Sequence, residues 1–238
     1  MIPKIIHYIW LGKGQKPKIF EKCFKSWQRF CPDYQIKCWD ESNLDLSKYK
    51  YAQDAYEAKK YAFASDVFRY DILYKEGGIY LDIDVELTKS LDSLLDQQLF
   101  MGFETSDSIN PGLICGAQKG STIISEILEI YKNKDYQISR ANSETVCTIT
   151  SNVLKTHGVK LENKFQNLEE ITIYPTEYFC PINYTTGKKH ITKNTMAIHH
   201  YAATWLSSGQ KFKLKIKQIA KRILGEKCYN KIKKLKNK

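Results

Sequence analysis

The sequence lacks the features of repetitive, disordered and membrane-spanning proteins. Its 238 residues include only 12 glycines and 6 prolines and show no internal repeat, which excludes collagen-like and low-complexity chains. Hydrophobic residues make up 42% and charged residues 26%, so the chain as a whole is not disordered. It has no run of 18 apolar residues, so no membrane-spanning helix is predicted. The apolar start carries Lys4 and His7 and lacks a small-residue cleavage site, so no secretory signal is expected.

The cysteines also lack the spacing that structural sites require. There are seven of them, an odd number, and no two form a C-x-x-C pair. Neither a zinc site nor a disulfide framework is therefore predicted. This pattern favours reduced thiols in a cytoplasmic protein.

The net charge is confined to one end of the chain. Residues 211–238 contain 12 basic residues and one acidic residue, Glu226, which accounts for the whole net charge of +11. Residues 1–210 are balanced, with 25 residues of each sign. No linker divides residues 1–210, so we predict one domain there, followed by a basic tail at 211–238. Any attraction to a polyanion should reside in this tail.

The first half of the domain alternates between strand and helix patterns. This alternation predicts an α/β domain with a largely parallel central sheet flanked by helices. The paired glycines Gly77-Gly78 are expected to end the helix that precedes them. Strands are predicted at 5–10, 35–39, 79–85, 113–117, 171–174 and 196–200, and helices at 19–30, 61–76, 123–131 and 146–156. Residues 43–60 stay unassigned, and 133–145 are predicted as a loop.

Two aspartates interrupt the apolar run Ile79–Val85. In a strand, Asp82 and Asp84 point to the same face, where two carboxylates repel unless a cation neutralises them. Carboxylate oxygens suit Mg²⁺ or Mn²⁺, which commonly also hold substrate phosphates. The alternative is that the two aspartates cap a strand at a solvated turn. The apolar neighbours and the two preceding glycines favour metal binding.

Two reaction classes use such a pair of aspartates. One is sugar transfer from a nucleotide sugar, where a metal bridges the diphosphate. The other is the haloacid-dehalogenase type of Mg²⁺ phosphohydrolase, whose D-x-D-x-[TV] motif the run from Asp82 to Val85 satisfies, with Asp82 as the nucleophile. That chemistry needs a second acidic pair downstream, and the sequence offers only Asp135 and a polar stretch at Glu169-Glu170.

The motifs resemble those of the DXD-containing sugar-transferase family, which includes yeast Golgi mannosyltransferases and bacterial capsule enzymes. The chain is also similar, more distantly, to the large clostridial glucosylating toxins. The similarity spans roughly residues 2–206, and its central block is long and specific. The matching residues are Ile2-Pro3-Lys4-Ile5-Ile6-His7, Trp10, Gly12, Ala64-Ser65-Asp66, Arg69-Tyr70, Leu73-Tyr74, the block from Gly77 to Val85, Ile198-His199-His200 and Thr204-Trp205.

The resemblance implies a GT-A fold and a retaining, divalent-metal-dependent transfer from a nucleotide sugar. It implies that Asp84 is the main metal ligand, that Tyr80 and Asp82 line the sugar–diphosphate site, and that His199 or His200 completes the metal site. The other roles it implies are base stacking for Trp10, contacts with the donor sugar and its phosphate for Asp66 and Arg69, and a β-phosphate contact for Trp205. The family usually has Ser-Trp where this chain has Thr204-Trp205, which keeps the hydroxyl.

The residues themselves leave several alternatives open. Asp66 and Arg69 share a helix face as an i, i+3 pair, which could be a surface ion pair or, beside the aspartates, part of a diphosphate site. Trp10 could equally be a core aromatic. Successive strand residues face opposite ways, so only one of His199 and His200 should reach a metal. Asn110 begins a turn before an apolar strand, which favours a turn former, and the resemblance implies an acceptor-side or sugar-contacting polar residue near this position. His7 is expected to be a core histidine.

The basic tail has an apolar stripe at helical spacing. The stripe comprises Phe212, Ile216, Ile219, Ile223 and Leu224, and after Gly225 it resumes at Tyr229, Ile232 and Leu235. A basic amphipathic helix is typical of an element that lies on an anionic membrane surface. A frayed, solvated terminus and a nucleic-acid-binding segment are the alternatives, although the neutral body makes nucleic acid the unexpected partner.

Together these features predict a cytoplasmic glycosyltransferase, peripheral on the inner face of the cell membrane. We expect Mn²⁺ or Mg²⁺, a UDP-sugar in preference to a GDP-sugar, and a glycan or lipid-linked acceptor in capsular or surface polysaccharide synthesis. The abundance of lysine and isoleucine hints at a bacterial source. The alternatives are the Mg²⁺ phosphohydrolase and a non-enzymatic protein that binds membranes or nucleic acid.

Overall fold

The computed structural model describes residues 1–137, 144–202 and 208–225. Within these ranges the helices are α1 (Lys18–Phe30), α2 (Lys50–Glu57), α3 (Tyr61–Glu76), α4 (Thr122–Lys132), α5 (Val146–Thr156), α6 (Thr176–Phe179) and α7 (Ser208–Leu224). The strands are β1 (Ile5–Ile9), β2 (Gln35–Trp39), β3 (Gly78–Tyr80), β4 (Val85–Leu87), β5 (Leu99–Gly102), β6 (Cys115–Ala117), β7 (Gln166–Asn167), β8 (Ile171–Tyr174) and β9 (Ala197–His199).

Seven of these strands form one central sheet, in the order β2-β1-β3-β6-β5-β8-β7. The strands β1, β2, β3, β5 and β8 run in one direction, and β6 and β7 run in the other. The sheet is therefore mixed but mostly parallel, in agreement with the prediction from the sequence. The remaining strands, β4 and β9, pair with each other in a small antiparallel sheet.

Hydrophobic side chains fill both faces of the central sheet. On one face, helices α2 to α5 bury residues such as Phe68 and Leu154 against it. On the other face, α1 packs on β4 through the fully buried Trp27, whose Nε1 donates a hydrogen bond of 2.7 Å to Val85 O. This contact fixes β4, which begins directly after the two aspartates of interest.

Most predicted elements are present at nearly the predicted bounds. The structure has β2, α3, α5 and β8 at the residues that the patterns indicated. Helix α2 and strand β5 were not predicted. Helix α2 lies within the unassigned residues 43–60. Strand β5 has four buried residues, so its sequence lacks the alternation of apolar and polar residues that marks a half-buried strand. The predicted strand over 79–85 is wrong, because the chain leaves the central sheet after Tyr80 and pairs elsewhere from Val85.

The basic tail is helical where the structure describes it. Helix α7 ends at Leu224, and residues 226–238, with Tyr229, Ile232 and Leu235, lie outside the described residues. None of the described helices is long and apolar enough to cross a bilayer. The cysteines of the described ranges are all free thiols.

His7 is a buried histidine with both ring nitrogens bonded. Its Nε2 donates to Gly77 O at 2.9 Å, and its Nδ1 accepts a hydrogen bond of 3.1 Å from Trp39 Nε1. The ring is thus held in one neutral tautomer. Burial lowers the pKa of His7 to about 4. The prediction that His7 is a core histidine is confirmed.

This burial predicts an acid-sensitive contribution to stability. Because the pKa of His7 is lower in the folded chain than in the unfolded chain, its contribution is full above about pH 6.5 and is lost as the pH falls toward 4. Between pH 6.5 and 5, we expect the wild type to lose about 2 kcal/mol of unfolding free energy more than His7→Gln does. Denaturant titrations of both proteins across this range measure the difference. Parallel pH profiles would contradict the assignment.

Candidate active site

Asp82 and Asp84 lie in a tight turn at the carboxyl end of β3. The backbone N–H of Val85 donates to Asp82 O at 3.1 Å and closes the turn. The argument that a strand places both carboxylates on one face is therefore wrong, and the turn brings them together instead. The position agrees with the tendency of ligands to bind at the carboxyl edge of parallel strands.

Three side chains with metal-binding groups meet at this turn. One ligand atom from each of Asp82, Asp84 and His199 lies within 4.8 Å of the other two. His199 comes from β9, which is held beside Asp84 because Val85 pairs with His199 in the small sheet. Carboxylate oxygens suit Mn²⁺ and Mg²⁺, and imidazole is a common ligand of transition metals. The donor set therefore fits a divalent cation.

Asp84 and His199 form a buried ion pair. Asp84 Oδ1 lies 3.2 Å from His199 Nε2, and Asp84 Oδ2 accepts a hydrogen bond of 2.7 Å from the backbone N–H of Ala202. Burial raises the pKa of Asp84, but His199 and this N–H outweigh it and hold the pKa below its usual range. For His199, burial lowers the pKa, and the Asp84 carboxylate outweighs it, so the pKa is raised.

Arg69 supplies a buried positive charge beside Asp82. Its side chain is only 4% exposed, and its Nη2 lies 2.7 Å from Asp66 Oδ1 and 3.7 Å from Asp82 Oδ1. The guanidinium carbon is 4.8 Å from the centre of the Tyr80 ring, whose hydroxyl donates to Asp82 Oδ1 at 3.0 Å. The i, i+3 spacing on α3 thus gives a buried pair that reaches the aspartates, and the interpretation as a surface ion pair is wrong.

In contrast to Asp84, the two carboxyl groups beside Arg69 are shifted toward their neutral forms. Burial raises the pKa of Asp66 to about 7, although Arg69 opposes the shift. Burial also raises the pKa of Asp82, and the nearby Asp84 carboxylate adds to the effect against Arg69. An added cation would favour the charged forms of the aspartates that face it.

Gly112 lies directly against Asp82 and Arg69. A Cβ on this residue would overlap Asp82 Oδ2 and lie 3.0 Å from Arg69 Nη1. Its backbone N–H donates to Asn110 Oδ1 at 2.7 Å, and its carbonyl accepts from the Asp82 N–H at 3.0 Å. Asn110 is thus a turn former that acts on the site through Gly112. Its contact with a sugar stays a prediction.

The other predicted site residues differ in how close they lie to the cluster. Trp10 follows β1 at the same sheet edge, and its Nε1 donates to Gly14 O at 2.7 Å. His200 points away from His199 and places its Nε2 2.7 Å from Glu86 Oε2, as the alternation of strand side chains predicts. Thr204 and Trp205 lie outside the described residues.

The sequence reasoning missed three contributors to this site. Gly112 could have been suspected from the turn signal Asn110-Pro111-Gly112, but its contact with Asp82 depends on the fold. The N–H of Ala202 carries no sequence signal, since any residue but proline supplies one. The ring centres of Tyr201 and His199 lie 4.3 Å apart. The aromatic character of Tyr201 alone did not indicate a contact with this histidine.

The fold is of the GT-A type found in glycosyltransferases. The solved structure of PaToxG Glycosyltransferase superposes with a TM-score of 0.53 at 18% sequence identity, covering 66% of this chain and 70% of that chain. This likeness confirms the fold class predicted from the sequence.

The family match is more specific than the fold. Residues 17–101 match the model of the family described as glycosyltransferase sugar-binding region containing DXD motif. Residues 17–101 are therefore similar to the sugar-binding region of this family, and the predicted resemblance is confirmed. The matched range contains Asp66, Arg69, Asp82 and Asp84, whereas His199 lies beyond it.

Two relatives show how far the similarity extends. Inositol phosphoceramide mannosyltransferase 3 of Schizosaccharomyces pombe is 35% identical over 131 residues, which cover 53% of this chain and 36% of that protein. The uncharacterized glycosyltransferase L373 of Acanthamoeba polyphaga mimivirus is 26% identical over 195 residues, which cover 79% of this chain and 76% of that protein. The chain thus spans about a third of the yeast relative. These findings favour a glycosyltransferase over the phosphohydrolase.

Proposed function

We propose that this protein is a divalent-metal-dependent glycosyltransferase that moves a sugar from a nucleotide-diphosphate sugar to a hydroxyl group. The observation that carries the proposal is the cluster of Asp82, Asp84 and His199 within 4.8 Å, next to the buried guanidinium of Arg69. Such an arrangement suits an anionic diphosphate, which needs a cation and fixed positive charge around it.

The residues of the chain take distinct roles in this proposal. Asp82, Asp84 and His199 would hold the cation, which when bound stabilises the negative charge of the departing diphosphate. Arg69 is held in place by Asp66, so it adds positive charge without reorganisation. Asp82 accepts a hydrogen bond from the Tyr80 hydroxyl and faces Arg69. We therefore assign Asp82 to binding and not to nucleophilic attack.

The finer features of the reaction rest on the family resemblance. We propose transfer with retention, in which the leaving phosphate takes the acceptor proton, Mn²⁺ or Mg²⁺ as the cation, and a UDP-sugar as the preferred donor. The proposed stacking of the base on Trp10 is supported by the position of this residue, at the same sheet edge as Asp82. Trp205 stays a predicted phosphate contact.

A donor screen tests this proposal. The purified protein is incubated with Mn²⁺ and a panel of UDP- and GDP-sugars, and release of the nucleotide is followed. We expect release from at least one donor and loss of that release when the metal is chelated. Turnover of simple phosphomonoesters that Asp82→Ala abolishes would instead support the phosphohydrolase and contradict the transferase.

We further propose that the acceptor is a glycan or lipid-linked saccharide for surface or capsular polysaccharide, at the cytoplasmic face of a membrane. The support is α7. Gln218 Nε2 donates to Tyr184 O at 2.6 Å, and Lys221 is buried at 8% exposure, so polar residues face the body. Ile216 and Ile219 lie nearly opposite on the helix and are 52% and 50% exposed.

At Ile216 and Ile219 the apolar side chains thus face outward, whereas an ordinary surface helix turns its apolar face inward. Exposed Lys213, Lys215, Lys217 and Arg222 flank the two isoleucines. An apolar stripe between cationic side chains complements an anionic lipid surface. A bacterial source is proposed only from the richness in lysine and isoleucine. No nucleic-acid partner is proposed.

The stripe predicts a specific defect in vesicle binding. Each isoleucine is half exposed, so its insertion should contribute about 1 kcal/mol. We expect Ile216→Gln/Ile219→Gln in the full chain to bind anionic vesicles at least tenfold more weakly than the wild type, as measured by sedimentation. Binding of the wild type should weaken with salt and be slight on neutral vesicles.

Ile130→Gln is the matched control, because Ile130 on α4 is 40% exposed and lies outside the basic tail. Its vesicle binding should equal that of the wild type. Equal loss in both variants, or no loss in either, would contradict the membrane role. Tight, salt-sensitive binding to nucleic acid with no binding to vesicles would favour the alternative partner.

A further inference from the structure

Tyr201 has an unusual backbone conformation next to the candidate metal ligands. Its φ angle is 51°, in the left-handed region that residues other than glycine rarely adopt. It follows β9 and is separated from His199 by one residue. A bulky residue in this region is held there by its surroundings, and such residues occur often at functional sites.

The left-handed turn at Tyr201 directs two backbone donors to the same aspartate. The N–H of His200, just before the turn, donates to Asp84 O at 3.0 Å. The N–H of Ala202, just after it, donates to Asp84 Oδ2 at 2.7 Å. In a continuing strand the N–H groups of alternate residues point the same way along the sheet, not back to one side chain. The turn therefore holds both the backbone and the carboxylate of Asp84.

The side chain of Tyr201 holds the turn in place. Its ring centre lies 4.3 Å from that of His199 and 4.8 Å from that of Tyr184, and its hydroxyl is 2.9 Å from Cys180 Sγ. The contact with His199 also restricts the imidazole, whose Nε2 faces Asp84. One residue thus constrains the second and third members of the Asp82, Asp84 and His199 cluster.

We infer that Tyr201 is a positioning residue that sets Asp84 and His199 in the geometry needed to share a divalent cation. The inference rests on the proposed function, in which that cluster binds the cation. Residues that orient metal ligands commonly change metal affinity by 10- to 100-fold when they are replaced. The aromatic ring, more than the hydroxyl, should carry this effect, because the ring makes the contact with His199.

The test measures binding of Mn²⁺ to the full chain without any sugar donor, by calorimetry or by the loss of the free Mn²⁺ spin-resonance signal. We expect Tyr201→Ala to weaken Mn²⁺ binding at least tenfold and Tyr201→Phe to stay within threefold of the wild type. Lys59→Ala is the matched control, since Lys59 has a φ of 57° and is exposed on another part of the surface. Like Tyr201→Ala, Lys59→Ala places an alanine in the left-handed region, but far from any proposed ligand in the sequence. It should leave the Mn²⁺ affinity unchanged.

Thermal unfolding of each variant separates positioning from stability. Tyr201→Ala should lose more stability than Lys59→Ala, because it also removes the contacts of the ring. Mn²⁺ affinity is therefore compared at a temperature where each variant is folded, and only Tyr201→Ala should have lost it. If Tyr201→Ala does not fold, Tyr201→Gly serves in its place, because glycine adopts the turn without strain and still lacks the ring. Folded Tyr201→Ala or Tyr201→Gly with wild-type Mn²⁺ affinity would overturn the inference alone. A wild type that binds no Mn²⁺ would overturn the proposed function as well.

Discussion

Asp84→Asn is expected to reduce nucleotide-sugar turnover by at least about 100-fold, in line with the loss of a main electrostatic stabiliser of the transition state. Asp84 offers one oxygen to His199 and lies with Asp82 and His199 inside 4.8 Å, so the amide removes a negative charge from the centre of the cluster. Steady-state rates at saturating Mn²⁺ measure the effect. The fold should persist, because the amide keeps an oxygen that can accept from the Ala202 N–H.

Glu86→Gln is the control for this substitution. Glu86 lies two residues further along the same chain segment, but its carboxylate faces Lys22 and His200, away from the cluster. Its rate should stay within a few-fold of the wild-type rate. Full Mn²⁺-dependent activity of folded Asp84→Asn would show that the metal site has been wrongly assigned.

Gly112→Ala is expected to have an effect of similar size without any change of charge. The added Cβ would overlap Asp82 Oδ2 and lie 2.9 Å from Asp82 Cγ, so the carboxylate has to move. Misplacement of a reacting group by about 1 Å can cost about 100-fold in rate. We therefore expect turnover to fall by about 10- to 100-fold. The Tm should change little, because only the end of a side chain has to move.

Gly14→Ala is the matched control, because a Cβ on Gly14 would meet nothing within 4 Å. Gly14→Ala adds the same methyl group at a position where there is space for it, so it should not change turnover. If Gly112→Ala were as active as Gly14→Ala, the Asp82 carboxylate would not need the position that the structure gives it. A shift of the KM for Mn²⁺ in Gly112→Ala alone would locate the damage at Asp82.

The sequence predicted the parts of the site that depend on local geometry. The periodicity of residues 61–76 and the following glycines defined α3, and the i, i+3 spacing placed Asp66 and Arg69 on one face. The alternation of a strand likewise predicted that His199 and His200 diverge. In each case the information lies within a few residues, where backbone geometry alone decides which side chains are neighbours.

The parts that the sequence did not predict depend on distant partners. The run 79–85 looks like one strand, but β3 pairs with β1 and β6 while β4 pairs with β9, so the chain has to turn between them. Which of the two histidines faces Asp84 follows from that same pairing. The burial of Arg69 also depends on the fold, because an i, i+3 pair on a helix is equally compatible with a solvated surface.

The pairing of β4 with β9 also bears on when the proposed cation site is completed during synthesis. Asp84 and His199 are 115 positions apart, and the intervening chain has to be made and folded before the two strands meet. A nascent chain that stops before β9 has two of the three ligands but not the imidazole. Cation binding should therefore report completion of the fold, and in the finished protein it should raise the melting temperature by favouring the native state over the unfolded chain.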